Sequence, residues 1–183
     1  MANLILNGST SGSVTLSSPA VSGTTTLTLP TTTSTLAING PAFSAYLAGS
    51  SQTVTSATWT KATLDTELFD TNNNFASSRF TPTVAGYYQI NGAVRCTSSV
   101  TFSRYIVGIW KNGAEYLRSS ETVFTSALAT QIQAGSGCVV YLNGSTDYVE
   151  LYGFITGTGT LTFANDGGQA FTSFMSGCLV RGA

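Results

Sequence analysis

The chain has 183 residues, enough for one core of ordinary size and a modest appendage. Only 8% of its residues are charged and the net charge is −1, with seven basic residues scattered singly, which excludes a surface that tracks nucleic-acid phosphates. It contains no histidine, so the usual general base and the commonest metal ligand are both missing.

The opening "MANLILNGST" carries no basic residue and too short an apolar patch for a secretory signal. No apolar run reaches the ~18 residues of a membrane-spanning helix. A soluble protein, with no membrane insertion and no export by a signal peptide, is the expectation. The first charged residue is Lys61, and residues 1–40 hold ten Thr and seven Ser. "SVTLS" and "TTLTLP" alternate with period two, and Thr and Val favour strands. Ser/Thr/Gly richness is also the composition of a flexible linker. Val14, Leu16, Leu27 and Leu29 speak against that, because a linker wastes alternating apolar side chains. A charge-free strand segment without its own core becomes sensible when partner chains supply its neighbours.

After Ile38–Phe43 the texture changes and aromatic residues recur. Strands are expected in "VTSATWTKATL" and "YYQINGAVRC", then a hairpin in "SRYIVGIWKNGAEYLRS" and a second in "SGCVVYLNGSTDYVELYGFI". "GTLTFA" and "FTSFMSGCLV" close the series. Asn112-Gly113 signals a type I′ turn, whose two central residues need positive φ, and Asn143-Gly144 opens a longer loop. Short strands between turn residues, with no helix among them, predict an all-β sandwich or jelly roll. In "SRFTPTVAGYYQIN", Pro82 and Gly86 are expected to make a turn, with Tyr88 and Ile90 facing the core and Tyr87 and Gln89 facing away. Trp110, closing a strand of buried period, is expected in the core or at a seam between copies, with Arg104 and Tyr105 on opposite faces of that strand.

Chemistry is sparse. Cys96, Cys138 and Cys178 form no CxxC pair and sit in period-two apolar patterns, which reads as three buried free thiols, with one disulfide plus a free thiol as the other possibility. Asp65 and Glu67 would share a strand face, near Asp70, and paired carboxylates serve glycosidases; solvent-facing acidic residues need no such role. No catalytic residue is assigned. Asp147, Glu150 and Asp166 offer oxygen ligands for calcium without the dense spacing of a dedicated loop, and Asp166 before Gly-Gly also suits a turn. Asp166 is the one weak metal candidate, and no cofactor is expected otherwise. Trp59 and Trp110 are candidates to stack on a sugar. The Asn-Gly-Ser sequons at Asn7 and Asn143 matter only in a secretory pathway.

"FDTNNNFASSRFTPTVAGYYQI" resembles the signature of the C1q/TNF-like jelly-roll family, with Phe69, Asn74, Phe75, Phe80, Pro82, Gly86 and Tyr88 at the expected places and Ile90 in place of the usual Phe. "GSGCVVYLNGSTDYVELYGF" is similar to the family's Gly-Asp hairpin, with Thr146-Asp147 at the Gly-Asp position. "AFTSFMSGCLV" is similar to its closing strand, with Ser173 for a Gly. The likeness covers about residues 41–183. The arm "SGSVTLSSPAVSGTTTLTLPTTTSTLA" resembles N-terminal modules of phage tail, fibre and virion-surface proteins.

Together these resemblances imply an all-β chain with an attachment arm at 1–40 and a C1q/TNF-like jelly-roll head at 41–183. They imply a homotrimer, with Phe75, Phe80, Gly86, Tyr88, Trp110 and Phe174 as fold or trimer residues. They imply a non-enzymatic bacteriophage structural protein, a head fibre, capsid decoration protein or short tail fibre, made in the host cytoplasm and carried on the virion. Capsid or tail proteins are its expected partners through residues 1–40. The alternative is a tail-fibre module that binds a host glycan or receptor.

Overall fold

The structure, a computed structural model, describes residues 4–7, 9–16, 40–128, 131–165 and 171–183. The chain divides into two compact units, Met1–Thr35 and Leu36–Ala183. In the first, β1 (Leu4–Asn7) and β2 (Ser13–Leu16) pair antiparallel with Leu4 opposite Leu16. Ile5 and Leu6 are exposed on this two-stranded ribbon. Leu27, Leu29 and the rest of "TTLTLP" lie outside the described residues.

Among its described residues the second unit is built of strands and their connecting turns, with no helix. Its elements are β3 (Ala42–Tyr46), β4 (Gln52–Val54), β5 (Thr60–Lys61), β6 (Thr66–Asp70), β7 (Phe75–Ala76), β8 (Arg79–Phe80) and β9 (Ala85–Ser98). There follow β10 (Thr101–Lys111), β11 (Ala114–Leu128), β12 (Gln131–Asn143), β13 (Val149–Thr158), β14 (Leu161–Phe163) and β15 (Phe174–Gly182). One sheet runs β6-β3-β15-β9-β12, with β14 and β4 continuing beside β9 beyond the end of β15. The other runs β11-β10-β13-β8-β7, with β5 also on β13. From β9 onward the chain visits the first sheet, the second for β10 and β11, the first for β12, the second for β13, and the first again for β15. That winding is a jelly roll, as the residues of "FDTNNNFASSRFTPTVAGYYQI" imply.

Alternation explains the core. Tyr88, Ile90, Val94 and Cys96 of β9, with Val140 and Leu142 of β12 and Met175 of β15, face inward from the first sheet. Tyr105, Val107 and Ile109 of β10 and Val149, Leu151 and Ile155 of β13 face them from the second. Phe43 stacks on Phe75 at 5.2 Å and on Phe80 at 4.2 Å, and Phe80 meets Tyr88 edge-on at 5.5 Å. Phe75, Phe80 and Tyr88 are thus core residues of a single copy.

Three expectations are corrected. "SGCVVYLNGSTDYVELYGFI" is no hairpin: β12 pairs with β9 and β13 with β10, so residues 144–148 carry the chain between sheets. Turn residues specify a reversal, not a partner, and both strands bury their apolar faces in the same core from opposite sides. Gly86 lies within β9 instead of the turn. A Cβ there would meet the Arg181 carbonyl and come within 2.6 Å of Leu179 Cδ1, so glycine admits β15 at this crossing. The three cysteines are free, but only Cys96 is fully buried: Cys138 is half-buried and Cys178 exposed. In β15 the core side is Met175, Gly177 and Leu179, so the same period-two pattern places Cys178 and Val180 outside.

Asn112 and Gly113 have φ of 54° and 78° in a two-residue loop between Lys111 and Ala114, as the Asn-Gly turn requires. The stretch 78–91 is held by local hydrogen bonds. Asn74, 6% exposed, accepts from Thr83 N at 3.2 Å, and the Tyr88 hydroxyl donates to Val84 O at 2.7 Å. Burial pushes that hydroxyl up to about 12.

Candidate functional site

The two sheets turn unlike outer faces to their surroundings. On the first, β9 presents Tyr87, Gln89, Asn91 and Ala93, and β12 presents Tyr141, Val139, Gly137 and Gly135 in register with them. β15 adds Phe174, Ser176, Cys178 and Val180, and β3 adds Ala42, Ser44 and Tyr46. No residue of this set is charged; Arg95 and Arg181 stand at its two ends, and Glu67 and Asp70 on the edge strand β6. Tyr87, Val139, Tyr141 and Val180 are 45%, 51%, 40% and 59% exposed, and Tyr87 packs on Tyr141 at 5.5 Å. An open groove of about 590 Å³ at the Tyr87 end is lined by Tyr87, Tyr141, Val180, Arg181, Gly182 and Ala183.

The second sheet's outer face is charged and aromatic. Trp110 of β10, 8% exposed, stacks on Tyr152 at 4.4 Å and meets Trp59 edge-on at 4.6 Å, and Trp59 reaches Phe154 at 5.4 Å. Arginines lie over this layer: Arg118 over Trp59, Arg104 over Phe154, and Arg79 over Tyr148 at 3.7 Å. Each has a carboxylate. Arg118 pairs with Glu115 at 2.9 Å, Arg104 with Glu121 at 2.7 Å, and Arg79 with Glu150 at 2.9 Å. Lys61 also reaches Glu150, at 3.2 Å. The Glu150 side chain is 3% exposed, so this acid depends on its two cations.

The structure therefore sorts the residues singled out in the sequence. Phe174 lies on the uncharged face, and Trp110 on the opposite, outer face of the second sheet. Arg104 and Tyr105 do alternate, Tyr105 inward and Arg104 outward. The carboxylates of Asp65 and Asp70 are each engaged by backbone N–H groups. Asp65 precedes β6 and accepts from the backbone N–H groups of Ala48 and Gly49 at 2.8 and 2.9 Å, while Asp70 accepts from Phe75 N at 2.6 Å. Burial tends to raise the Asp65 carboxyl, and the backbone donors outweigh it and bring it below its ordinary value.

Asp147 accepts from the Asn112 amide at 2.7 Å and pairs with Lys111 at 2.9 Å, which lowers its carboxyl. Asp147 and Glu150 are thus neutralised by the chain's own cations. Among the described residues no three His, Cys, Asp or Glu side chains gather as a metal site. Asp166 lies outside the described residues.

Sequence reasoning missed the Lys61–Arg79–Glu150 triad, whose members are far apart in the chain. It also missed the exposed face of β12, although "CVVYL" carried the signal: a strand apolar on consecutive residues has something to cover on both sides.

No family model matches the chain, and no curated protein matches it either. Among solved structures it is similar to murine APRIL at pH 5.0, with 11% identity over 78% of this chain and all of that one, and a TM-score of 0.49. It is also similar to an Eiger TNF from S. frugiperda, with 10% identity over 79% of this chain and 93% of that one, and a TM-score of 0.48. The jelly-roll assignment rests on the strand order above, not on likenesses of this size.

Proposed function

We propose that this chain is a non-enzymatic structural protein of a bacteriophage particle: a homotrimer anchored through residues 1–40, with its jelly-roll head displayed to stabilise the particle or adhere to a host surface. It is made in the host cytoplasm and resides on the virion as a head fibre, decoration protein or short tail fibre. The observation that carries the reading is the contrast between the two outer faces. The ion pairs of Arg79, Arg104 and Arg118 gather on one, and the other offers Tyr87, Val139, Tyr141, Cys178 and Val180, with Arg181 at its end and Lys111 beside Tyr141, as a surface largely covered by other copies would. The arm fits the same picture. A two-stranded ribbon with exposed Ile5 and Leu6 is marginal alone and gains from strands supplied by capsid or tail proteins.

Light scattering on the purified chain tests the trimer: three copies per particle are expected, and a monomer at micromolar concentration would overturn it. Cryo-electron microscopy of phage particles tests the location, because the protein must occupy capsid symmetry positions or the tail. A second reading, a glycan- or receptor-binding module of a tail fibre, is favoured by the half-buried Trp59, Tyr152 and Phe154 on the charged face. Binding to a glycan array that is lost in Trp59→Ala would support it.

A further inference from the structure

β12 is thirteen residues long and, among the described residues, pairs with β9 alone, so one of its edges is open. Such an edge is a template on which another chain can add a strand. Here it is occupied. Gly135, Val139 and Tyr141 share one parity along β12, so their carbonyls leave the strand on the same side. Each is met by a side chain of the opposite sheet. Lys111 Nζ donates to Tyr141 O at 2.8 Å, the Tyr116 hydroxyl to Val139 O at 3.4 Å, and the Ser119 hydroxyl to Gly135 O at 2.6 Å.

The Ser119 contact depends on an irregularity in β11. Ile106 faces Glu121, and two residues on Gly108 faces Arg118, three residues back, so β11 holds one extra residue opposite Val107. This bulge swings Ser119 out of the ladder. Its Oγ lies 3.1 Å from Val107 O and closer to Gly135 O, across the corner between the sheets. Lys111 also pairs with Asp147, which fixes its ammonium beside the edge.

We propose that Lys111, Tyr116 and Ser119 form an edge lock. They occupy three of the outward carbonyls of β12, so between Gly135 and Tyr141 a strand from a second copy of this chain finds no uninterrupted run of free acceptors. Association is thereby confined to sheet faces and refused edge to edge. The lock works the same way whether the finished particle contains three copies or another number.

The test is the full-length triple variant Lys111→Met, Tyr116→Phe, Ser119→Ala, with Val54→Ala as a control that weakens the core away from this edge. Both are followed by circular dichroism, urea unfolding, time-resolved light scattering and thioflavin T fluorescence. The triple variant is expected to stay folded and to grow into thioflavin-positive assemblies about tenfold faster than the parent, the factor implied when the three lost hydrogen bonds each contribute at the weak end of the usual range. The control, at equal or lower stability, is expected to keep the parent's size. Parental growth in the triple variant overturns the lock, and so does equally fast growth in the control, because loss of stability would then be the cause. If the triple variant does not fold, Ser119→Ala alone carries the same comparison, with the same two outcomes deciding.

Discussion

Glu150 is a buried acid with two cations, each of them partly in water, and this asymmetry predicts a strongly non-additive response. Consider Lys61→Met and Arg79→Met, which keep the aliphatic stems and remove the charges. Lys61 and Arg79 are 34% and 40% exposed, so each pair is only slightly stronger than a surface ion pair. With one cation gone, Glu150 keeps the other, and each single variant should lose about 1 kcal/mol or less. With both gone, a carboxylate 3% exposed has no counter-charge, and the loss should reach about 3–5 kcal/mol. For a urea slope of about 2 kcal/mol/M, the midpoint falls by less than about 0.5 M in each single variant and by about 2 M in the double. Adding Glu150→Gln to the double variant removes the charge that needed a partner and should restore more than half of the loss. If the double variant equals the sum of the singles to within about 0.5 kcal/mol, the three side chains are independent and the account of this face is wrong.

The uncharged face gives a labelling experiment. Cys178 should react slowly with a thiol reagent in the assembled protein and quickly once copies separate, whereas Cys96, whose thiol burial pushes up to about 12, should react only on unfolding; fast labelling of Cys178 at every concentration would contradict a covered face. Val139→Lys, at a site 51% exposed within one copy, should leave the head folded by circular dichroism and reduce its mass in light scattering from three copies to one. Gly86→Ala should cost about 1–3 kcal/mol in urea unfolding, since the added methyl meets Leu179 and the Arg181 carbonyl. The Asp147 carboxyl is lowered first by the Asn112 amide, and that of Glu115 by its hydrogen bond to Arg118. Because both folded values lie below the unfolded ones, their stabilisation is complete above the ordinary carboxylate range and lost as pH falls through it, so thermal melts should drop below about pH 4.

The strands and the core were largely legible in the sequence, because β9 alternates regularly between an apolar and a polar side and β10 carries a continuous apolar run. Asn112-Gly113 was legible for a stronger reason: both residues sit at positive φ, which few residue types adopt cheaply. The partner of each strand was not. Nothing local distinguishes a loop that folds a strand back on its neighbour from one that crosses to the other sheet, and "LNGSTD" took the second course. Which side of a period-two pattern faces inward was equally hidden in β15, where Met175, Gly177 and Leu179 prevailed over Cys178 and Val180. The triad around Glu150 and the contact from Ser119 to Gly135 depend on pairings that only the finished sheets create.

The separation of charge from apolar surface also decides how assembly should respond to its surroundings. Salt acts on exposed charges over a screening length of about 10 Å at 0.1 M, and the face bearing Tyr87, Val139, Tyr141 and Val180 has few charges for it to act on. Association through that face should be nearly indifferent to ionic strength. Cooling should weaken it, because burial of apolar surface loses its driving force at low temperature. Copies joined through that face should tolerate dilute or concentrated salt alike and be most easily separated by cold.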